Sequence, residues 1–194
     1  MRLAGLDLAD QAAHGADLIE AALDDVDLTG AKLGSASLRD VVVAGGSWAN
    51  ADAEGARLRR VVLREVRMTG IGLATAELED VAVTGCRLDL ANLRYARLAR
   101  VRFESCTMAE ADLQDAVLRS VELVDCDLTG ARLASATLAG CTLRRCRLDG
   151  IVNPERLAGV RMSLSDALAS VETLAAAAES SYCRTPPTDS TMWV

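Results

Sequence analysis

The chain has 194 residues, a net charge of −7 and 51% hydrophobic residues, although only 3% of its residues are aromatic. This length fits one domain, and the acidic balance argues against a protein that binds nucleic acid directly. No apolar run approaches membrane-spanning length, and a regular pattern begins at Leu3, which leaves no room for a signal peptide, so we expect a cytoplasmic protein.

A large apolar residue recurs every five positions from Leu3 to Leu148, and 22 of these thirty positions are Leu. A small residue stands two positions before each of them from Ala16 onward, always Ala, Val, Ile, Cys or Gly. Neither a helix nor an ordinary strand has a period of five. Two inward residues separated by one outward residue form a short strand, and two further outward residues form a turn. The pattern therefore predicts a solenoid built from five-residue sides.

The small positions also repeat at intervals of twenty. Four series result: Val41, Val61, Val81, Val101 and Val121; Cys86, Cys106, Cys126 and Cys146; Ala36, Ala56, Ala76, Ala96, Ala116 and Ala136; and Ala31, Ala51, Ala91, Ala111 and Ala131. A four-sided coil of twenty residues stacks each series in its own column. Gly30, Asn50, Gly70, Gly130 and Gly150 share a further column, which predicts a corner that bends through positive φ.

This pattern resembles the pentapeptide repeat family, whose consensus is Ala-(Asp/Asn)-Leu followed by two variable residues. Ala16-Asp17-Leu18, Ala91-Asn92-Leu93 and Ala111-Asp112-Leu113 match that consensus outright. The resemblance implies an all-β solenoid, a right-handed quadrilateral β-helix of about seven coils over residues 1–152. It also implies a function for some members, because the best understood relatives look like double-stranded DNA, bind DNA gyrase or topoisomerase IV and protect it from quinolones or other toxins.

The first coils are strongly acidic. Residues 1–55 hold ten acidic and three basic residues, a net charge of −7. These residues make under three coils, roughly 13 Å of axis, and a DNA duplex of that length carries about 8 negative charges. The charge density therefore favours DNA mimicry by the acidic coils, and the residues that we expect to bind a partner are Asp17, Glu20, Asp24, Asp25, Asp27 and Asp40.

An arginine belt follows the acidic coils. Residues 56–110 have a net charge of +3, and the belt consists of Arg57, Arg59, Arg60, Arg64, Arg67, Arg94, Arg97, Arg100 and Arg102. The belt interrupts continuous mimicry of DNA along the rod. One outward column alternates in sign from Asp40 through Arg60 and Asp80 to Arg100, which is typical of ladder pairing between coils.

Two irregular features have structural interpretations. Trp48 replaces Leu where Gly46 and Ala53 are unusually small, so we expect the indole to fill the space that they leave, although an exposed tryptophan for partner contact is the alternative. Cysteines spaced one coil apart cannot converge on one zinc ion, nor approach closely enough for disulfides, so they are expected to be reduced core residues. Cys183 is the one candidate for a reactive thiol.

The repeat ends at Leu148. We expect a C-terminal helical cap within residues 153–179, with a helix from Ser163 to Ala178, and a flexible tail over residues 180–194. Ser163 or Ser165 caps the helix, and its apolar stripe includes Leu164, Leu168, Val171 and Leu174. The Leu164, Leu168 and Val171 side is expected to cover the last coil. Any apolar surface left uncovered there would form a two-fold homodimer.

No constellation for catalysis is present in the sequence. The single histidine, His14, is outward, and there is no Gly-rich phosphate loop and no set of spaced metal ligands, so we expect a protein without cofactors that is not an enzyme. Three functions remain open. They are a DNA-mimicking protein that binds DNA gyrase or topoisomerase IV, a scaffold for an unknown protein partner, and a direct nucleic-acid binder through the arginine belt, in that order.

Overall fold

The computed structural model describes residues 1–171 and residue 175. Fifteen strands of three residues each alternate with turns. They are β1 Arg2–Ala4, β2 Asp17–Ile19, β3 Ala22–Asp24, β4 Ser37–Arg39, β5 Val42–Ala44, β6 Arg57–Arg59, β7 Val62–Arg64, β8 Glu77–Glu79, β9 Ala82–Thr84, β10 Arg97–Ala99, β11 Arg102–Glu104, β12 Val117–Arg119, β13 Glu122–Val124, β14 Thr137–Ala139 and β15 Thr142–Arg144.

The strands form two parallel sheets on adjacent faces of a four-sided rod. The odd-numbered strands make an eight-stranded sheet, the first face, and the even-numbered strands make a seven-stranded sheet, the fourth face. The second and third faces are ladders of single bridges, from Asp7↔Asp27 to Asp127↔Arg147 and from Ala12↔Lys32 to Arg132↔Val152. The registers up to Val152 join each residue to the one twenty positions later, so the columns run straight along the rod, whereas the terminal bridge Thr142↔Arg161 spans 19 positions. The predicted parallel solenoid of about seven coils is confirmed.

We number the coils from the N-terminus in blocks of twenty, so that coil 1 is residues 1–20, coil 5 is residues 81–100 and the incomplete coil 8 begins at Cys141. The predicted frame of inward residues holds: Leu93, Leu98, Phe103 and Leu113 are buried, and their neighbours Asn92, Arg97 and Arg102 are exposed. Asp112 is the exception. It is partly buried, and its carboxylate accepts a hydrogen bond from the backbone N–H of Gln114 at 3.0 Å.

Every corner of the coil uses positive φ, not only the corner that the glycine column predicted. Gly30 and Asn50 in that column have φ of 68° and 54°. The other corners adopt the same conformation with residues that do not favour it, including Arg60 at 53° and Thr75 at 57°. The four-sided path imposes this backbone, since the turn must close within two residues and return the chain to the core.

Trp48 is buried, as are Ala53 and the surrounding apolar residues, so the alternative of an exposed tryptophan for partner contact is wrong. The indole Nε1 has no hydrogen-bond partner in the described part of the chain. Gly46 does more than leave space for the ring. Its φ is 80°, and a Cβ there would lie 2.3 Å from the backbone oxygen of Val26.

The two ends of the rod differ. Leu3, Leu8 and Leu18 of coil 1 are only partly buried, as expected for an end coil. At the other end a 3-10 turn, Pro154–Leu157, places Leu157 on the core, where it is 6% exposed. The chain then adds a further bridge to the last coil, because Leu143 N donates to Arg161 O at 2.9 Å.

Helix α1 spans Leu164–Ala169, within the predicted Ser163 to Ala178, of which residues 172–174 and 176–178 lie outside the described residues. Ser163 is the N-cap, and its Oγ accepts from Asp166 N at 3.1 Å. Leu164, Leu168 and Val171 are exposed, so the expectation that they cover the last coil is wrong. Leu157, Val160 and Met162 do so instead, because the chain pairs with the last coil before the helix begins.

Candidate functional site

The carboxylates that the sequence predicts to bind a partner lie on three sides of the rod, whereas Asp52 of the same coils lies on the third face. Asp17 lies on the fourth face, Glu20 at the next corner, Asp24 on the first face and Asp25 at the corner after it, and Asp27 lies on the second face. The third face carries none of these five. The sequence-predicted residues therefore form one continuous band that wraps three faces of coils 1 and 2.

Most carboxylates of the acidic coils make no ion pair with any residue in the described part of the chain. Of the ten within residues 1–55, only Asp24 and Asp40 do: Asp24 pairs with Arg2 at 2.6 Å and Asp40 with Arg60 at 2.5 Å. The remaining eight are Asp7, Asp10, Asp17, Glu20, Asp25, Asp27, Asp52 and Glu54. Their charge is therefore available to an external partner.

Two carboxylates of the predicted site are held in their charged form. The hydrogen bonds from the Arg60 guanidinium lower the pKa of Asp40 below its ordinary value. Hydrogen bonding by Thr29, whose backbone N–H donates to Asp27 Oδ1 at 2.8 Å, lowers the pKa of Asp27. Both groups therefore remain anionic over the neutral range and below it.

The arginine belt is mostly neutralised within the chain. Coils 3 and 5 carry arginines on the fourth face, and coil 4 between them carries Glu77 and Glu79, so that acidic residues lie between two layers of arginines. The ion pairs of the belt are Arg57–Glu77 at 4.0 Å, Arg97–Glu77 at 3.7 Å, Arg59–Glu79 at 3.5 Å, Arg60–Asp40 at 2.5 Å, Arg100–Glu79 at 2.5 Å, Arg100–Asp80 at 2.6 Å, Arg102–Glu104 at 3.2 Å, Arg102–Glu122 at 2.7 Å and Arg94–Asp112 at 3.9 Å.

Only Arg64 and Arg67 of the belt have no ion pair among the described residues. Arg67 instead donates from Nε to Ser47 Oγ at 3.2 Å. The predicted alternation of charge in one column is real, since Arg60 binds Asp40 in the coil below it and Arg100 binds Asp80. The belt therefore stabilises the stack of coils, although exposed pairs of this kind contribute little each.

The cysteines are core residues. Cys86, Cys106, Cys126 and Cys141 are buried and free, and Cys146 is partly buried. Burial raises the pKa of the Cys86 thiol, and the hydrogen bond with Cys106 raises the pKa of Cys126 to about 11. Within residues 1–171 no group of three or more His, Cys, Asp or Glu side chains is placed to hold a metal ion. Cys183 lies outside the described residues.

Sequence reasoning missed two exposed residues of coil 5. Leu90 and Tyr95 occupy the corners on either side of the third face, and the Arg94 guanidinium lies 5.8 Å from the centre of the Tyr95 ring. The signal was present in the sequence, because the other residues of these two corner columns are Gly, Asn, Asp, Glu, Ser or Thr up to coil 7.

Of the four C-terminal residues predicted to act in capping or dimerisation, Leu164, Leu168 and Val171 lie on the exposed surface of the last helical segment. Leu174 lies outside the described residues. The uncovered surface meets the condition under which the sequence predicts a two-fold dimer, and that dimer stays a prediction. No helix in the described part of the chain has the length and apolar character that crossing a membrane requires.

A parallel solenoid with four five-residue sides per coil, filled by columns of Leu, Ala, Val and Cys, defines a class of repeat protein. The chain belongs to the pentapeptide repeat family. The model of the Pentapeptide repeat region matches residues 56–133 and 76–152, and the model of Pentapeptide repeats (8 copies) matches residues 2–40. No curated protein matches the chain in sequence.

Several solved structures are similar to this chain. HetL, a pentapeptide repeat protein involved in heterocyst differentiation regulation from the cyanobacterium Nostoc, is 22% identical, with a TM-score of 0.42 over 78% of this chain and 84% of its own. Full-length QnrB1, a plasmid-mediated fluoroquinolone resistance protein, is 13% identical, with a TM-score of 0.41 over 90% and 99%. A pentapeptide repeat protein from the Arabidopsis thaliana thylakoid lumen is 14% identical, with a TM-score of 0.37 over 86% and 78%.

Proposed function

We propose that this protein is a non-enzymatic, cytoplasmic binding protein whose acidic coils occupy the DNA-binding surface of a protein partner. The observation that carries the proposal is the contrast between the two charged regions. The arginines of the belt are mostly paired within the chain, whereas eight of the ten carboxylates of residues 1–55 have no ion pair with any described residue. Unpaired charge on a rigid rod attracts a surface of the opposite sign.

The form of the acidic band supports mimicry of a duplex. Its carboxylates follow three sides of a rod, as phosphates follow the outside of a helix, and are not gathered in one patch. The net charge of −7 over residues 1–55 approaches the about 8 charges of a duplex of equal length. The partner that fits this chemistry is a basic groove shaped for double-stranded DNA.

DNA gyrase and topoisomerase IV are the partners that we propose, because DNA-like members of the pentapeptide repeat family bind these enzymes. Occupation of their DNA-binding surface would compete with DNA and change the response of the enzyme to quinolones. On this proposal the protein binds no nucleic acid itself and needs no cofactor. The division into a rod over residues 1–152, a cap over 153–179 and a tail over 180–194 is part of the same proposal.

The decisive variant replaces Asp17, Glu20, Asp24, Asp25 and Asp27 with the corresponding amides. We expect its affinity for gyrase or topoisomerase IV to fall at least tenfold, since five of the charges that attract a basic groove are lost, while the melting temperature stays close to the native value because all five side chains point outward. Binding of the native protein should also weaken steeply as salt is raised. Gyrase supercoiling with and without ciprofloxacin gives the functional readout.

A matched control neutralises five carboxylates outside the acidic coils. Glu65, Glu104, Glu110, Asp115 and Glu122 give the same change in net charge in coils 4 to 7, and this control should retain binding. Equal loss in both variants would show that total charge and not the acidic band matters. Retention of binding in the acidic variant would contradict the proposal.

The second candidate is a scaffold for another protein partner that uses the arginine belt, which the unpaired Arg64 and Arg67 favour. Replacement of these two by Ser should leave binding to a topoisomerase intact or strengthen it if the acidic band is the site. If the arginine variant loses binding to a partner and the acidic variant retains it, the scaffold function is favoured.

A further inference from the structure

Leu90 and Tyr95 are placed where the fold disfavours them. Their φ angles are 60° and 59°, and a left-handed backbone costs such side chains roughly 1 kcal/mol each. They are 57% and 52% exposed, so burial within the chain does not offset that cost. Every corner of the coil carries this strain, so what distinguishes Leu90 and Tyr95 is their exposed apolar and aromatic surface, in two columns that otherwise hold Gly, Asn, Asp, Glu, Ser or Thr up to coil 7. A tyrosine beside an arginine has the composition of an interface hot spot, and the neighbouring exposed leucine adds apolar surface to it.

Both residues border the same surface, the third face of coil 5. The outward residues of this face are small in coil 4, where Gly72 and Ala74 stand, and larger in coil 6, where Asp112 and Gln114 stand. Two coils below coil 5 the face carries Asp52, and two coils above it carries Arg132. Asp52 and Arg132 lie in one straight column, and neither has an ion pair with another described residue.

We propose that the third face binds a second copy of this chain, in an antiparallel two-fold dimer whose axis crosses coil 5. Such an axis keeps each column opposite the same column of the other copy and reverses the order of the coils. Coil 3 therefore meets coil 7, and Asp52 of each copy faces Arg132 of the other. Leu90 meets Leu90, and Tyr95 meets Tyr95.

The remaining contacts fit the same arrangement. The small outward side chains of coil 4 in one copy face the larger ones of coil 6 in the other copy, so the third faces of the two copies are complementary in shape. Arg94 meets its own copy at the axis, and the carboxylate of Asp112, 3.9 Å from Arg94 within each chain, offsets that repulsion. The contact covers about five coils, roughly 24 Å, which is a small interface and gives a dimer that depends on concentration.

This dimer leaves the acidic band free, although it uses Asp52, one of the eight carboxylates of residues 1–55 that have no ion pair with a described residue. Asp17, Glu20, Asp24, Asp25 and Asp27 lie on the other three faces and their corners, so the acidic band stays uncovered in the dimer. Failure of topoisomerase binding would leave the dimer intact, and a monomeric protein would leave the acidic band unchanged.

Charge exchange across the axis gives a specific test. In Asp52→Arg both contacts become Arg opposite Arg, and in Arg132→Asp both become Asp opposite Asp. Each variant should raise the dimer dissociation constant roughly a hundredfold, since two contacts change sign at about tenfold each. An equal mixture of the two variants should restore the dimer as a heterodimer, in which both contacts are again opposite in charge. Sedimentation equilibrium measures all three samples.

The apolar contacts are tested by substitutions that the fold already tolerates at the same corners. Leu90→Asn and Tyr95→Ser introduce residues that the same columns already hold at Asn50 and Ser135. Both should weaken the dimer at least tenfold, and the melting temperature of the monomer should stay close to the native value because both side chains are exposed and Asn50 and Ser135 adopt the same positive φ in these columns. Leu168→Asp alters the exposed helical surface, where the sequence predicts a separate contact, and should leave the third-face dimer unchanged.

Four results would overturn the proposal, and three of them concern the third face directly. They are a native protein that stays monomeric at its highest soluble concentration, a dimer that survives Asp52→Arg, and charge variants whose mixture fails to reassociate although each is folded. Loss of the dimer in Leu168→Asp alone would assign the contact to the C-terminal helix and also contradict the third face.

Discussion

Replacing Gly46 with Ala should lower the free energy of unfolding by more than about 3 kcal/mol, one of the largest effects that a single methyl group can have in this fold. An ideal Cβ at this position lies 2.3 Å from the oxygen, 2.7 Å from the nitrogen and 3.0 Å from the carbonyl carbon of Val26. All three atoms belong to the backbone of the coil below. They cannot move aside without breaking the bridges that hold the two coils in register.

Gly55→Ala is the matched control for this substitution. Gly55 also has positive φ, at 67°, but the nearest atom to its Cβ is Ser35 Oγ at 3.5 Å, an ordinary contact. Its cost should be only the left-handed strain of roughly 1 kcal/mol. Urea denaturation of the two variants separates steric contact from strain, and equal midpoints would show that the close approach of Gly46 to Val26 is not a constraint.

The repeat frame could be predicted from sequence because every coil applies the same steric rule. An inward position such as that of Leu93 or Ala91 accepts only an apolar residue of one size. The period of five can therefore be recognised in a single sequence, and the interval of twenty follows from the residues that recur in each column. Straight columns also made the charge ladder predictable, as Arg60 with Asp40 shows.

The positive φ of the corners could be predicted only in the column where glycine and asparagine recur. Arg60 and Thr75 have the same positive φ, imposed by the closed path of the coil and not by their own preference. Gly46 likewise could be read as a space for Trp48, but the approach of its backbone to Val26 depends on how two coils stack. Contacts of this kind are set by tertiary geometry.

The candidate site was predictable in part. The acidic coils can be identified from a count of charges. Which carboxylates remain unpaired depends on whether a basic side chain of a neighbouring coil lies close enough to bind them, as the pairing of Asp24 with Arg2 shows. The cap was misassigned because an amphipathic helix pattern is conspicuous, whereas the turn that brings Leu157 onto the core has no periodic signal. Leu90 and Tyr95 needed a comparison along columns and not along the chain.

Phe103→Ala should remove about 4 kcal/mol of stability, the typical loss when a buried aromatic ring leaves a cavity. Phe103 is 2% exposed and stands in register between Val83 below and Leu123 above. The ring compensates for the small valine in the next coil, so its removal leaves two adjacent coils underfilled. Backbone hydrogen bonds prevent those coils from collapsing towards each other.

Phe103→Leu is the appropriate comparison, because Leu occupies the same column at Leu63, Leu123 and Leu143. Its cost should be about 1 kcal/mol, since the residual cavity is small. In a solenoid each coil contacts only its neighbours, so the alanine variant should also lose amide protection first in strands β9, β11 and β13, and later in coils 2 and 3. Thermal denaturation and hydrogen exchange measure the two effects. A uniform loss of protection along the whole rod would contradict this account, since it would mean that the coils unfold as a single cooperative unit and that the space beside Val83 has no local consequence.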